Sequence, residues 1–242
     1  MKNDGIREAL EENQIPFEAS LPDRLEIYLG LLQEWNSRMD LTAVCGEREM
    51  LDRHFIDSLT VLRNGLLREE GASLIDVGTG AGFPGMVLAM ARPDLQVTLL
   101  DSQQKRLHFL EAVRDAAQAG NVRIVHGRAE DGARDRGLRE QFDYAAARAV
   151  APLNVLCEYL LPYVRTGGTA LCWKGPALDG EMDAGRRAAR ILGGRAEAPV
   201  SCPVAGRDWD HRILPVRKVE KTASAYPRKA GIPKDKPLGE ER

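Results

Sequence analysis

Leu74-Ile75-Asp76-Val77-Gly78-Thr79-Gly80-Ala81-Gly82-Phe83-Pro84-Gly85 passes from a short apolar run, through a glycine loop, into a helix-type stretch. Glycines at such spacing let the backbone turn sharply and approach a ligand closely. Pro84 suits the first turn of a helix. A strand, glycine loop and helix in that order place a ligand at the carboxyl edge of a parallel sheet. Downstream, apolar runs at 97–100, 122–125, 144–147 and 169–173 alternate with helix-length segments near 84–92, 104–119, 152–164 and 178–192, and 127–141 has room for a short helix. This alternation predicts right-handed crossovers and a mostly parallel sheet covered on both faces. The stretches 199–204 and 212–219 follow with only a loop between them, so an antiparallel pair is expected to close the sheet.

Upstream of Ser73 the period is helical. Leu25, Leu29, Leu32, Trp35 and Met39 form one apolar stripe, and Met50, Leu51, Phe55, Leu59, Leu62 and Leu66 form another, ended by Gly71. The expected organisation is a helical extension over 1–70, an α/β domain over 71–219 and a basic tail over 220–242. The chain of 242 residues is 43% hydrophobic, enough for a sizeable core. No run reaches the roughly 18 apolar residues of a membrane span, and the first residues carry no signal-peptide core. Cys45, Cys157, Cys172 and Cys202 are far apart, without a C-x-x-C pair, which speaks against a disulfide framework or a zinc module and for a reducing cytoplasm.

The net charge of −2 conceals an asymmetry. Residues 1–70 hold 8 Lys/Arg against 15 Asp/Glu, whereas residues 217–242 hold 8 against 4. A basic tail on an acidic chain is either an RNA contact or an ordinary solvated end.

Within the loop, Gly80, Gly82 and Gly85 match G-x-G-x-x-G, so a dinucleotide site and an NAD(P)-dependent oxidoreductase must be weighed. Two features favour S-adenosylmethionine. Asp76, at the strand end, suits a cationic methionine group and would repel a pyrophosphate. Gly78 adds a glycine ahead of the dinucleotide pattern. Asp101, ending the next strand, suits ribose hydroxyls in either cofactor. Glu130 and Asp131, after the third strand, suit an adenine edge or cap a helix.

Further motifs resemble those of the ribosomal RNA small subunit methyltransferase G family, also called glucose-inhibited division protein B. They are Trp35-Asn36-Ser37-Arg38-Met39-Asp40-Leu41-Thr42-Ala43, His54-Phe55-Ile56-Asp57-Ser58-Leu59, Arg128-Ala129-Glu130, Arg148-Ala149-Val150-Ala151-Pro152-Leu153, Trp173-Lys174-Gly175 and Tyr226-Pro227-Arg228-Lys229-Ala230-Gly231-Ile232-Pro233. Asp40 stands where the family usually has Asn, and Phe55 where an aliphatic residue is common. The resemblance implies a Rossmann-like class I S-adenosylmethionine-dependent methyltransferase with a seven-stranded, mostly parallel sheet and an antiparallel last strand. It implies methylation of a guanine N7 in 16S ribosomal RNA; the total charge is too low for strong binding to bare RNA, so the expected substrate is a particle, the 30S subunit or a precursor, and the enzyme is expected to be a monomer. The resemblance also implies cofactor contacts at Gly78, Phe83, Ala129, Glu130 and Arg148, which join Asp76, Gly80, Gly82 and Asp101.

Guanine N7 is a lone-pair acceptor with no proton to lose, so no general base is expected and positioning carries the rate. Consistent with this, there is no N/D-P-P-Y/F loop and no Pro-Cys after the fourth strand. Arg148 and Lys174 are candidate guanine contacts, and Arg128, Lys174, Arg212, Lys218, Arg228 and Lys229 are the leading RNA contacts, with Tyr226 available for stacking. A non-catalytic ribosome-assembly factor on the same fold is the remaining alternative.

Overall fold

The computed structural model describes residues 3–148 and 150–240; Ala149 of the Arg148-to-Leu153 motif, and residues 1–2 and 241–242 of the extension and tail, lie outside the described residues. The glycine loop leaves the middle of one eight-stranded sheet. Its strands are β1 (Ser73–Val77), β2 (Gln96–Asp101), β3 (Val122–His126), β4 (Phe142–Arg148), β5 (Val164–Lys174), β6 (Gly194–Ala196), β7 (Val200–Ser201) and β8 (Arg212–Lys218). They lie side by side in the order β3-β2-β1-β4-β5-β8-β6, with β7 also paired to β8. β1 to β5 are parallel, and β8 runs antiparallel to β5, with Cys172 opposite Leu214. The chain first winds outward from β1 to β3, then crosses to β4 on the other side. The crevice where ligands bind such sheets therefore opens at the carboxyl ends of β1 and β4.

The seven-strand expectation is corrected to eight. Only Val200 and Ser201 of the 199–204 stretch pair with β8, while Gly194–Ala196 forms the outer edge. That edge went unread because it is three residues long and begins with glycine. A Cβ on Gly194 would stand 2.8 Å from Leu161 Cδ1, so glycine is what lets this strand lie against the helix layer.

Helices cover both faces. α1 (Asn3–Glu12), α2 (Leu21–Met39), α3 (Glu47–Met50), a π-helical turn at Leu51–Ile56 and α4 (Asp57–Arg63) precede the sheet; α5 (Gly85–Ala91), α6 (Gln104–Ala116), α7 (Ala129–Gly132), α8 (Leu153–Leu160), α9 (Leu178–Ile191) and α10 (Ile232–Asp235) follow. Side chains alternate across the sheet, so Leu99 joins a core with α2, α4 and α5 while Leu100 joins a core with α8 and α9. α1 had no counterpart in the expected helices, although its buried Ile6, Ala9 and Leu10 keep helical spacing. The helix expected over 50–66 is broken by the π-helical turn and ends at Arg63. Asp40 caps α2 in the left-handed region, φ 48°, which Asn and Asp accept more readily than other side chains.

The tail does not leave the domain. Lys218 is fully buried, its ammonium donating to Leu161 O and Thr222 Oγ1 (both 2.5 Å), and burial lowers its pKa to about 8. Arg139 donates to Thr222 O and Tyr226 O, and Arg228 clamps the fully buried Glu158 carboxylate from 2.6 Å.

Candidate functional site

Asp76 organises the glycine loop from beneath. Its Oδ2 accepts from Thr79 Oγ1 at 2.6 Å and from Gly85 N at 2.8 Å, which ties the two ends of the loop together. The residue is fully buried and does not line the cavity above it, so the expected direct contact with a ligand is corrected to a supporting one. The reason is the turn itself: the Thr79 hydroxyl and the Gly85 amide come down onto the carboxylate and shield it. Burial pushes the Asp76 pKa up to about 6, against the downward pull of the Thr79 and Gly85 donors.

This shift has a sign that can be measured. The folded-state pKa lies above the unfolded one, so Asp76 contributes stability that is full below about pH 4 and lost as pH rises through about 6. Asp76→Asn keeps the shape and cannot ionise. Relative to the parent it should gain about 3 kcal/mol in urea unfolding between about pH 4 and pH 7.5. Parallel pH curves for the two proteins would refute the assignment.

The rest of the loop is fastened to the end of β2. Gly78 N and Thr79 N donate to Leu100 O at 2.8 and 3.1 Å. Gly80 N donates to Asp101 Oδ2 at 2.9 Å, and Asp101 Oδ1 accepts from Gln103 N at 2.9 Å. After β3, Glu130 sits in the first turn of α7 with its Oε1 accepting from Gly231 N of the tail at 2.9 Å. These strand ends surround a cavity of about 530 Å³ whose walls include Gly78, Gly80, Phe83, Asp101, Arg128, Ala129, Glu130 and Arg148. Gly82 supports the loop from below instead of lining it: a Cβ there would run into Tyr28 Oη and, at 2.8 Å, Leu110.

Phe83, the aromatic wall supplied by the glycine loop, is backed by the helical extension. Phe83 stacks on Tyr28 (5.4 Å between centroids) and on His54 (4.9 Å), and the Arg148 guanidinium lies 5.1 Å from its ring centre. Tyr28 Oη donates to Ala81 O. Arg148 also donates to Asp57 Oδ2 at 3.0 Å and Arg53 O at 2.8 Å, and pairs with His54 Nδ1 at 3.2 Å. His54 Nε2 lies 2.7 Å from Thr42 Oγ1. Burial, reinforced by Arg148, lowers the His54 pKa to about 3. The ring is therefore neutral, with Nδ1 accepting from Arg148 and Nε2–H donating to Thr42. His54 and Asp57, spaced three apart in the sequence, do meet at this site, through Arg148.

The residues present fit S-adenosylmethionine. A Cβ on Gly80 would meet nothing closer than Gly78 O at 4.0 Å, so that glycine faces open cavity. Acidic groups stand at the ends of two successive strands to receive hydroxyl and amino donors. Gly78, Gly80, Phe83, Asp101, Ala129, Glu130 and Arg148 line this one cavity and are the residues that would hold it.

The expected RNA contacts divide. Arg128 and Lys229 are exposed. Lys174 is bound to Glu181 Oε2 at 2.6 Å and Ala151 O at 3.1 Å, and Arg212 is paired with Asp179 and Asp210. Two readings are corrected: Lys218 is buried beneath the tail and Arg228 is spent on Glu158, because a chain folding back over a domain uses its own cations to satisfy carbonyls and a buried carboxylate. Sequence reasoning missed Tyr159 and Gly231, which also line the cavity, and His211, which binds Asp57 from 154 residues away; Lys234, weighed from its charge only as an RNA cation, lines the cavity as well. For Tyr159 the helical spacing was the one available signal; for His211 there was none.

The family model described as rRNA small subunit methyltransferase G matches residues 22–208. Ribosomal RNA small subunit methyltransferase G of Alkaliphilus oremlandii is 43% identical over 235 residues, covering 97% of this chain and 98% of its own length. Its namesake from Clostridium beijerinckii is 44% identical over 214 residues, covering 87% and 88%. Among solved structures, the 16S rRNA (adenine(1408)-N(1))-methyltransferase from Catenulisporales acidiphilia with cosubstrate SAM aligns with a TM-score of 0.52 at 17% identity, over 63% of this chain and 87% of that one, a likeness of fold. The oxidoreductase and non-catalytic alternatives give way to these matches. With the extension from residue 22 onward, the glycine loop and the ends of β1 to β4 inside the matched region, the chain belongs to the rRNA small subunit methyltransferase G family.

Proposed function

We propose that this S-adenosylmethionine-dependent rRNA methyltransferase acts on the N7 of a guanine in 16S rRNA, as a cytoplasmic monomer working on the 30S subunit or a precursor. The observation that carries the reading is the junction between the cofactor cavity and a second chamber beside it. Two side chains wall both spaces, Arg148 and His54. Neither can take a proton: the guanidinium is permanently charged, and the His54 ring has both nitrogens engaged. Such a junction suits an acceptor with a lone pair and no proton to lose.

When bound, S-adenosylmethionine supplies an electrophilic methyl on a sulfonium. The chain's own part is alignment. Asp101 and Glu130 orient what enters the cavity, the Phe83 shelf fixes one wall, and Arg148 is held in place by Asp57, His54 and the Arg53 carbonyl. Positioning of this kind is worth up to about 7–11 kcal/mol of barrier. With no base to titrate at the junction, the rate should show no limb from His54 above about pH 3.

The test is transfer of tritiated methyl from S-adenosylmethionine to 30S subunits lacking the modification, with the product identified by strand scission at N7-methylguanine. Label on an exocyclic nitrogen or a ribose would overturn the N7 reading. Naked short RNA labelled as well as the particle would overturn the particle reading. In the same assay Arg128→Ala should lower the slope of log affinity against log salt by about 1, while Lys218→Met leaves that slope unchanged.

A further inference from the structure

The second chamber holds about 320 Å³ and is walled by Arg53, His54, Asp57, Arg148, Trp173 and His211, among others. His211 belongs to this chamber alone. Its Nδ1 lies 2.8 Å from Asp57 Oδ1, and Trp209 stacks across its face at 5.3 Å with a 29° tilt. Trp209 is steadied in turn by the Arg53 guanidinium, 4.2 Å from its ring centre. The Asp57 side chain is 3% exposed and its other oxygen is taken by Arg148. Although burial opposes it, the His211 and Arg148 partners hold the Asp57 carboxyl below its usual range, so it is ionised. An ionised Asp57 requires a proton on His211 Nδ1, so in the neutral tautomer the lone pair sits on Nε2. The side chain is 23% exposed, on the chamber side.

A purine whose N7 points toward the cofactor cavity turns the N1–C2 end of its Watson–Crick edge away from that cavity, toward the walls of the chamber. On guanine that end carries two donors, N1–H and the 2-amino group; on adenine it carries a bare N1 lone pair and a C2–H, the 6-amino donor lying at the other end, beside N7. We propose that the second chamber receives the acceptor guanine and that His211 Nε2, oriented by Asp57 and Trp209, accepts a hydrogen bond from its Watson–Crick edge, making His211 a specificity-determining residue. The inference rests on the guanine-N7 reading above. Against adenine, the same nitrogen would face a lone pair.

Two substitutions separate this role from a structural one. Asn at 211 reproduces the Nδ1 donor to Asp57 and removes the acceptor at the ε position; Gln reproduces an acceptor at the ε position and removes the δ donor. With 30S subunits as substrate, His211→Asn should lower kcat/KM by about 10- to 100-fold, the range of one base-reading contact, and His211→Gln by no more than about threefold. Affinity for S-adenosylhomocysteine by calorimetry should be unchanged in both. On subunits reconstituted with adenosine at the methylated position, His211→Asn should narrow the guanosine-over-adenosine preference by about tenfold. The reverse order of the two variants, or parental activity in His211→Asn, overturns the inference while label from the parent protein leaves the N7 reading standing. Subunits unlabelled by the parent protein overturn that reading and this inference with it.

Discussion

Asp57→Ala should cost about 3–5 kcal/mol of stability and reduce methyl transfer by about 100-fold or more. Asp57 is a buried carboxylate that two partners share: Arg148 at 3.0 Å on one oxygen and His211 at 2.8 Å on the other. The Arg148 side chain is only 15% exposed. Removing the carboxylate leaves a guanidinium with no counter-ion, the situation in which breaking a buried pair is most expensive. The catalytic loss has a separate origin. Arg148 walls both chambers, and once its anchor is gone the guanidinium is free to swing off the Phe83 ring, displacing the wall against which the acceptor is aligned. Urea unfolding and 30S methylation read the two effects separately. Asp57→Asn, which keeps an oxygen for one partner, should fall between the parent and the alanine variant. An alanine variant as active as the parent would mean that Arg148 needs no anchor.

Gly82→Val should be nearly as severe and fail for a different reason. Gly82 has φ 100°, a conformation L side chains rarely adopt. A Cβ there would collide with Tyr28 Oη, and would stand 2.8 Å from Leu110 Cδ2 and 2.9 Å from Met86 Cβ. Tyr28 cannot retreat without dropping its hydrogen bond to Ala81 O and its stack on Phe83. Overpacking of this kind plus backbone strain predicts a loss of about 3 kcal/mol or more. Cofactor affinity should fall with it, since the loop that walls the cavity is displaced. Gly80→Ala is the matched control. Its φ is 61° and its Cβ meets open space, so stability should fall by only about 1–2 kcal/mol while cofactor affinity falls through occupation of the cavity. Calorimetric titration with S-adenosylhomocysteine beside thermal unfolding distinguishes the two. Equal stability losses at positions 80 and 82 would refute the argument.

Local rules reached the alternation of strands and helices and the cavity's floor. The loop needs its glycines, and Asp101 ends β2 at the edge where open α/β sheets bind ligands, so spacing located it; for Glu130, in the first turn of α7, spacing offered an adenine edge or a helix cap, and the family resemblance chose between them. Asp76 was located and misjudged: its position beneath the loop was legible, but its complete burial depends on how the Thr79 hydroxyl and the Gly85 amide close over it. β6 escaped because a three-residue strand beginning at glycine carries no period. The His211–Asp57 pair escaped for a deeper reason. It joins two segments 154 residues apart, brought together only when β8 inserts antiparallel beside β5. Charge counting failed in the tail for the same cause: Lys218 and Arg228 add to the basic total, but tertiary partners consume both.

The return of the tail also bears on how the protein is made. Gly231 binds Glu130, and Lys234 borders the cavity together with Arg128 and Asp101, so one wall of the cofactor site is built from residues translated about a hundred positions after the wall it meets. The sheet through β5 can assemble while synthesis continues, but a nascent chain paused before residue 231 carries an open, unfinished site. The cavity is thus completed late in translation, when the segment after β8 has emerged and docked.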